Sequence, residues 1–218
     1  PPSIGVLLVN LGTPEAPTSK ALRPYLRQFL SDPRVIEWPR WLWLAVLEAI
    51  ILRVRPKRSA RLYEEIWTDE GSPLLILTQR LSDRLAGMLD GRVRVEIGMR
   101  YGEPSIRNGL EELREAGVGE LVVVPLYPQF SHTTTSSIYD AVDDALEAMA
   151  WNPEQHRIQD YHVDEDWTCA IAASIWEYRE ELVDYYRGHD VHLSSEQNVV
   201  TKGGSEAIAL AMMAVADP

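Results

Sequence analysis

Residues 126–137, LYPQFSHTTTSS, put two aromatic rings, one histidine and six hydroxyl side chains into one short stretch. It follows the apolar run Leu121–Pro125 and leads into a helical pattern, SSIYDAVDDALEAM. A strand that empties into a helix start can hold an anionic group, because free N–H groups and the helix dipole favour negative charge there. The same hydroxyls can instead cap the helix, although one or two would be enough for that. Two more stretches have comparable potential: NLGTPEAPT at 10–18, and GMRYGEPS at 98–105 with Arg100 and Tyr101 side by side.

The periodicity of the chain says what must position these groups. Short apolar runs predict strands at Ile4–Val9, Val93–Gly98 and Leu121–Pro125, with a fourth at His156–His162. Helical patterns fall at Lys20–Leu30, Trp41–Val54, Lys57–Trp67, Pro104–Ala116 and Thr134–Met149, and from Glu165 onward. Ser72 and Pro73 read as N-cap and first position of a helix running to about Leu89. Apolar strands alternating with helices predict an α/β fold, a parallel sheet with helices on both faces in three layers, followed by a helical tail. In such sheets ligands sit beyond the carboxyl ends of the strands, where the three stretches fall.

Composition excludes several classes. The chain has 218 residues, 33 acidic and 21 basic, for a net charge of −12. No basic patch stands out, which argues against a nucleic-acid partner. The single cysteine, Cys169, excludes an internal disulfide and a cysteine metal cluster. No charged and apolar leader precedes the first strand and no run of about 18 apolar residues occurs, so neither a secretory signal nor a membrane span is expected. A cytoplasmic enzyme is the resulting expectation.

Five stretches in order, VLLVNLGTPEAP, FLSDPRVIE, LYEEIWTDEGSPL, GMRYGEPSI and PLYPQFSHTTTSS, resemble the amino-terminal half of the ferrochelatases. The likeness covers about residues 4–172, with residues 173–218 as a divergent tail. It implies insertion of Fe(II) into a porphyrin, both as substrates, with no tightly bound cofactor and no resident metal. It also implies that Arg100 and Tyr101 lie near the reaction centre and Leu11 under the macrocycle. Arg55, Tyr63 and Ser72 would contact the porphyrin, and Tyr127, Gln129 and Ser131 would line the third loop. His132 stands where many relatives carry a cysteine, so that potential iron–sulfur ligand is missing. Without the resemblance each residue has a plainer reading: Arg100 as an ion-pair partner, Tyr101 as strand-end packing, Arg55 as part of a solvated turn, Tyr63 and Trp67 as a core stripe.

Metallation needs two pyrrole protons removed from a ring held out of plane, and a histidine near working pH suits the base. The family's histidine lies in a second half; none of His132, His156, His162, His189 and His192 has its context. The resemblance therefore implies a chain that is weakly active or inactive alone. Residues 38–54, WPRWLWLAVLEAIILRV, begin with three tryptophans around Arg40 and end at Arg53–Val54. They suit a peripheral membrane interface and, equally, a lip or core helix over a pocket. From about residue 175 the sequence resembles a fragment of a pyridoxal-phosphate aminotransferase. Gly204 and Ser205 there match a phosphate-binding helix start, and Lys202 is not the Schiff-base lysine of that family.

Overall fold

The computed structural model describes residues 3–89, 91–187 and 194. Its contacts divide the chain into two compact units, residues 1–160 and 161–218.

The first unit is built on four parallel strands in the order β2-β1-β3-β4. They are β1 (Ile4–Gly12), β2 (Val93–Tyr101), β3 (Glu120–Pro125) and β4 (Glu154–Arg157). Central β1 is apolar on both faces because both are covered. Leu7 and Val9 join Leu110, Leu113, Leu121, Val123, Ile138 and Val142 under α5 (Ile106–Glu115) and α6 (Ser137–Ala148). Leu8 joins Val95, Ile97 and Met99 on the other face, with Leu75 and Leu85 of α4 (Pro73–Met88). The expected three layers are thus present. Close approach of α5 depends on Gly109, where an added Cβ would meet the Ile97 carbonyl oxygen and Leu7 at 2.6 Å.

β1 and β2 run three residues further than expected, to Gly12 and Tyr101, and two expectations fail more substantially. The fourth strand lies at Glu154–Arg157, not His156–His162, paired with Glu120–Val123. It is an edge strand made of polar residues, so hydrophobic pattern pointed past it to Ile158 and Tyr161. The two helices expected on either side of Arg55–Pro56 are one continuous rod. It comprises α2 (Arg40–Val46), a π-helical stretch at Leu47–Ile51, and α3 (Leu52–Ile66). Proline at position 56 removes the N–H that would bond the Leu52 carbonyl. Arg23 of α1 (Ser19–Leu30) supplies the missing donor, its Nε lying 3.1 Å from that oxygen. Leu22, Tyr25, Leu26 and Leu30 of α1 pack on Leu47, Leu52 and Ala60 of the rod and on Tyr101, closing the carboxyl end of the sheet.

In the second unit α7 (Glu165–Arg187) starts from Asp164, whose carboxylate accepts from the Trp167 N–H at 3.0 Å. Tyr161 meets Trp167 edge-on, and Cys169 is exposed. Lys202, Gly204 and Ser205 of the aminotransferase-like segment lie outside the described residues, as do His189 and His192.

Candidate functional site

The carboxyl ends of β1, β2 and β3 converge under α1. Strand β1 runs through Leu11 to Gly12, which pairs with Tyr101. Gly12 has φ 108°, and a Cβ there would fall 1.7 Å from the Tyr101 carbonyl oxygen. Only glycine lets the two strand ends lie this close.

Arg100 and Tyr101 do not end in an open cleft. Both reach Asp32, just beyond α1 in the stretch FLSDPRVIE. One carboxylate oxygen of Asp32 accepts from Arg100 Nη2 at 2.6 Å, from the Tyr101 hydroxyl at 2.8 Å and from Ser137 Oγ at 2.6 Å. Its other oxygen accepts from the Arg34 backbone N–H at 2.7 Å. Arg100 Nε donates to Ser137 Oγ at 2.7 Å, and the guanidinium stands 4.6 Å from the centre of the Tyr101 ring. The Asp32 side chain is 3% exposed and that of Arg100 19%.

Burial of the Asp32 carboxyl pushes its pKa up, but hydrogen bonds from Ser137, Tyr101 and the Arg34 N–H, and the charge of Arg100, bring it below the ordinary 3.8. Burial, helped by the bond to Asp32, pushes the Tyr101 phenol up to about 12. The centre is therefore an ionised carboxylate, a guanidinium and a neutral phenol, all held in fixed orientation.

Aromatic rings surround it. Trp67, Tyr63, Tyr25, Phe29 and Tyr101 form a continuous series of contacts, with centroids 6.3, 6.4, 6.5 and 5.1 Å apart. The Tyr25 hydroxyl donates to the Gly12 carbonyl at 3.2 Å. Burial holds the Tyr25 phenol well above its ordinary pKa, and the nearby phenols of Tyr63, Tyr127 and Tyr101 add to this. Leu11 and Tyr63 pack against the same cluster. Tyr127, from the third loop, is also raised by burial, and its hydroxyl is buried without a hydrogen-bond partner.

Most of the hydroxyl-rich stretch is spent on its own turn. Ser131 caps the π-helical segment His132–Ser136, accepting from the Thr133 N–H at 3.3 Å and meeting the Thr133 hydroxyl at 2.9 Å. Thr135 is fully buried, Ser136 pairs with His132 Nδ1 at 3.3 Å, and Ser137 serves Asp32. Gln129 and His132 are exposed.

Ser72 begins α4 with Pro73 behind it, but its hydroxyl makes no cap bond. It faces a cavity of about 700 Å³ beside Thr13, Tyr25, Gln28, Trp67 and Gly102. Glu15, Glu70 and Glu103 also line this cavity. Arg55 stands apart, exposed on α3. The structure thus gathers Leu11, Tyr63, Arg100, Tyr101 and Tyr127, puts Ser72 in the adjoining cavity, and leaves Arg55 and Gln129 in solvent.

Sequence reasoning missed Asp32 and Ser137. A signal existed for Asp32: an arginine in a buried strand demands a counter-charge, and a carboxylate follows α1 directly.

In a parallel α/β domain the carboxyl ends of the strands, here carrying polar groups and aromatic surface, are where ligands bind. The family model that matches it is Ferrochelatase, over residues 3–196, and the chain belongs to the ferrochelatase family. It is 56% identical over 178 residues to a ferrochelatase of Methylococcus capsulatus, covering 81% of this chain and 54% of that protein. A ferrochelatase of Thioalkalivibrio sulfidiphilus is 50% identical over 185 residues, 83% of this chain and 50% of its own length. The chain spans about half the length of the curated relatives it matches. The family match runs past Ala173 and takes in α7.

Proposed function

We propose that the chain provides the porphyrin-binding half of a ferrochelatase acting in haem biosynthesis in the cytoplasm. In the reaction Fe(II) replaces two pyrrole protons, which leave to a base. Arg100 and Tyr101 stand at the reaction centre, and Leu11, Tyr63 and Tyr127 supply the apolar and aromatic surface. Arg55 and Ser72 answer the rim carboxylates, with Gln129 and Ser131 bounding the third loop. The observation that carries the reading is the Asp32-centred network, which fixes an arginine and a neutral phenol at the strand ends beside aromatic rings. The unpartnered Tyr127 hydroxyl supports it, because a buried hydroxyl without a partner costs about 1–3 kcal/mol and a bound ligand can supply an acceptor.

Among the described residues His132, His156 and His162 are exposed. The base that the family resemblance implies lies in a second half, so the chain alone is expected to bind porphyrin with little or no metal insertion. Exposed Trp38, just before the rod, and Trp41, Ile50 and Val54 on it suit peripheral membrane contact, while Leu47 and Leu52 face the core. No helix among the described residues is long and apolar enough to cross a membrane.

Titration of the chain with a dicarboxylate porphyrin and with its neutral ester, followed by the shift of the Soret band, tests the reading. Tighter binding of the acid supports rim recognition; equal binding removes it. Haem formation from Fe(II) and porphyrin above the protein-free control, lost on changing Arg100 or Tyr101, would show that this chain carries turnover by itself.

A further inference from the structure

Residues 20–23 carry two cations and residues 53–57 three, and the two segments are far apart in sequence. Folding brings them together. Lys20, Arg23, Arg53 and Lys57 line a cleft of about 420 Å³ between α1 and α3, together with Ser19 and Pro56. No carboxylate lines it. Among the described residues none of these four cations forms an ion pair, although Arg27, Arg34, Arg80 and Arg107 all do.

That arrangement is unfavourable on its own. Lys20 and Arg23 are like charges at i, i+3, and Arg53 and Lys57 at i, i+4, pairs that destabilise a helix. The chain has 33 acidic residues to neutralise them and uses none here. The cleft is also fixed in shape. Arg23 is held by its Nε on the Leu52 carbonyl, a carbonyl left free only because residue 56 is proline. The guanidinium is thereby set between the helices with its terminal nitrogens unused in any hydrogen bond to the described residues.

We propose that the α1–α3 cleft binds a phosphate-bearing anion through Lys20, Arg23, Arg53 and Lys57. A phosphate group carries close to two charges and three strong acceptor oxygens, which several converging cations match better than one carboxylate does. The Ser19 hydroxyl and the first turn of α1 add donors on the same side. The source is a phosphate free in solution or one on a lipid headgroup. None of the candidate porphyrin residues lines the cleft, so the proposal stands apart from the metallation site.

The test is calorimetric titration of the whole chain with inorganic pyrophosphate, set beside cosedimentation with phosphatidylglycerol and phosphatidylcholine vesicles. Arg23→Gln with Lys57→Gln should weaken binding about a hundredfold, since one charge-assisted bond is worth about tenfold or more. Arg61→Gln, on the same helix but off the cleft, should change it less than about twofold. Pyrophosphate binding that is lost in the double variant identifies a free anion. Binding to phosphatidylglycerol only, lost in the same variant, identifies a headgroup. Affinity of the dicarboxylate porphyrin should be the same in all variants. If the double variant does not fold, Lys20→Gln, which breaks no hydrogen bond of the fold, should still show about a tenfold loss. Absence of binding to either probe, or equal loss in Arg61→Gln and the cleft variants, overturns the proposal.

Discussion

Arg100 and Arg55 are both arginines that the family resemblance points toward a porphyrin, and the fold treats them in opposite ways. Arg100 is nearly enclosed and committed through Nη2 to Asp32 and through Nε to Ser137. Arg55 is exposed on a helix whose residues 53–61 include five cations. The first cannot move without stranding a buried carboxylate. The second is free to reorient toward whatever arrives. On the proposed reading the two would differ in role, one a fixed group at the centre and the other a reorientable charge outside it.

The strongest way to break this contrast is to remove the counter-charge. Asp32→Ala leaves Arg100 buried and unpaired and takes the acceptor from Tyr101 and Ser137. Breaking one partner of a buried pair costs about 3–5 kcal/mol. Arg55→Ala, an exposed position without such partners, should stay within about 0.5 kcal/mol. Urea denaturation of both variants measures the gap. Similar small losses would mean that the Asp32 cluster is solvated and does not fix Arg100.

The pH dependence sharpens the same point. The folded-state pKa of Asp32 lies below its ordinary value of 3.8. Its contribution is therefore fully present above that value and is lost as pH falls through the lower folded value. Tyr101 has the opposite sign. With a folded pKa of about 12 against an ordinary 10.0, it contributes below pH 10 and loses that contribution as pH rises toward 12. Asp32→Asn should flatten the acid limb of stability below about pH 4. It should also bring one phenol to titrate earlier in the ultraviolet spectrum. An unchanged acid limb would detach the cluster from acid stability.

Much of the frame was legible because it rests on local pattern. Apolar β1, β2 and β3, and the Ser72–Pro73 helix start, announce themselves over a few residues. What was missed depends on distant partners. The polar edge strand Glu154–Arg157 is defined by its ladder to β3, not by hydrophobicity. Helix continuity through Pro56 depends on a donor from Arg23, which no window around residue 56 contains. Asp32 lies 68 residues from Arg100 and 105 from Ser137, so its role exists only after folding. The six hydroxyls of 131–137 pointed to a ligand, yet most of them close the turn they stand in.

That last point gives the smallest predicted effect. Ser131 and Ser137 are both hydroxyls of the third loop, but they answer to different regions. Ser131 satisfies a free N–H at the start of a helical segment. Loss of such a cap costs about 1 kcal/mol and acts locally. Ser131→Ala should therefore lower stability by about that amount and leave the Asp32 cluster and the Tyr101 titration as they are. Ser137→Ala removes a donor to the buried Asp32 carboxylate and the acceptor of Arg100 Nε. It should cost more, about 1–3 kcal/mol, and shift the acid limb as Asp32→Asn does. A double-mutant cycle with Asp32→Asn should show coupling for Ser137 and none for Ser131. Coupling at Ser131 would mean that the cap and the buried centre form one unit, and the line drawn here between the turn and the Asp32 cluster would have to be given up.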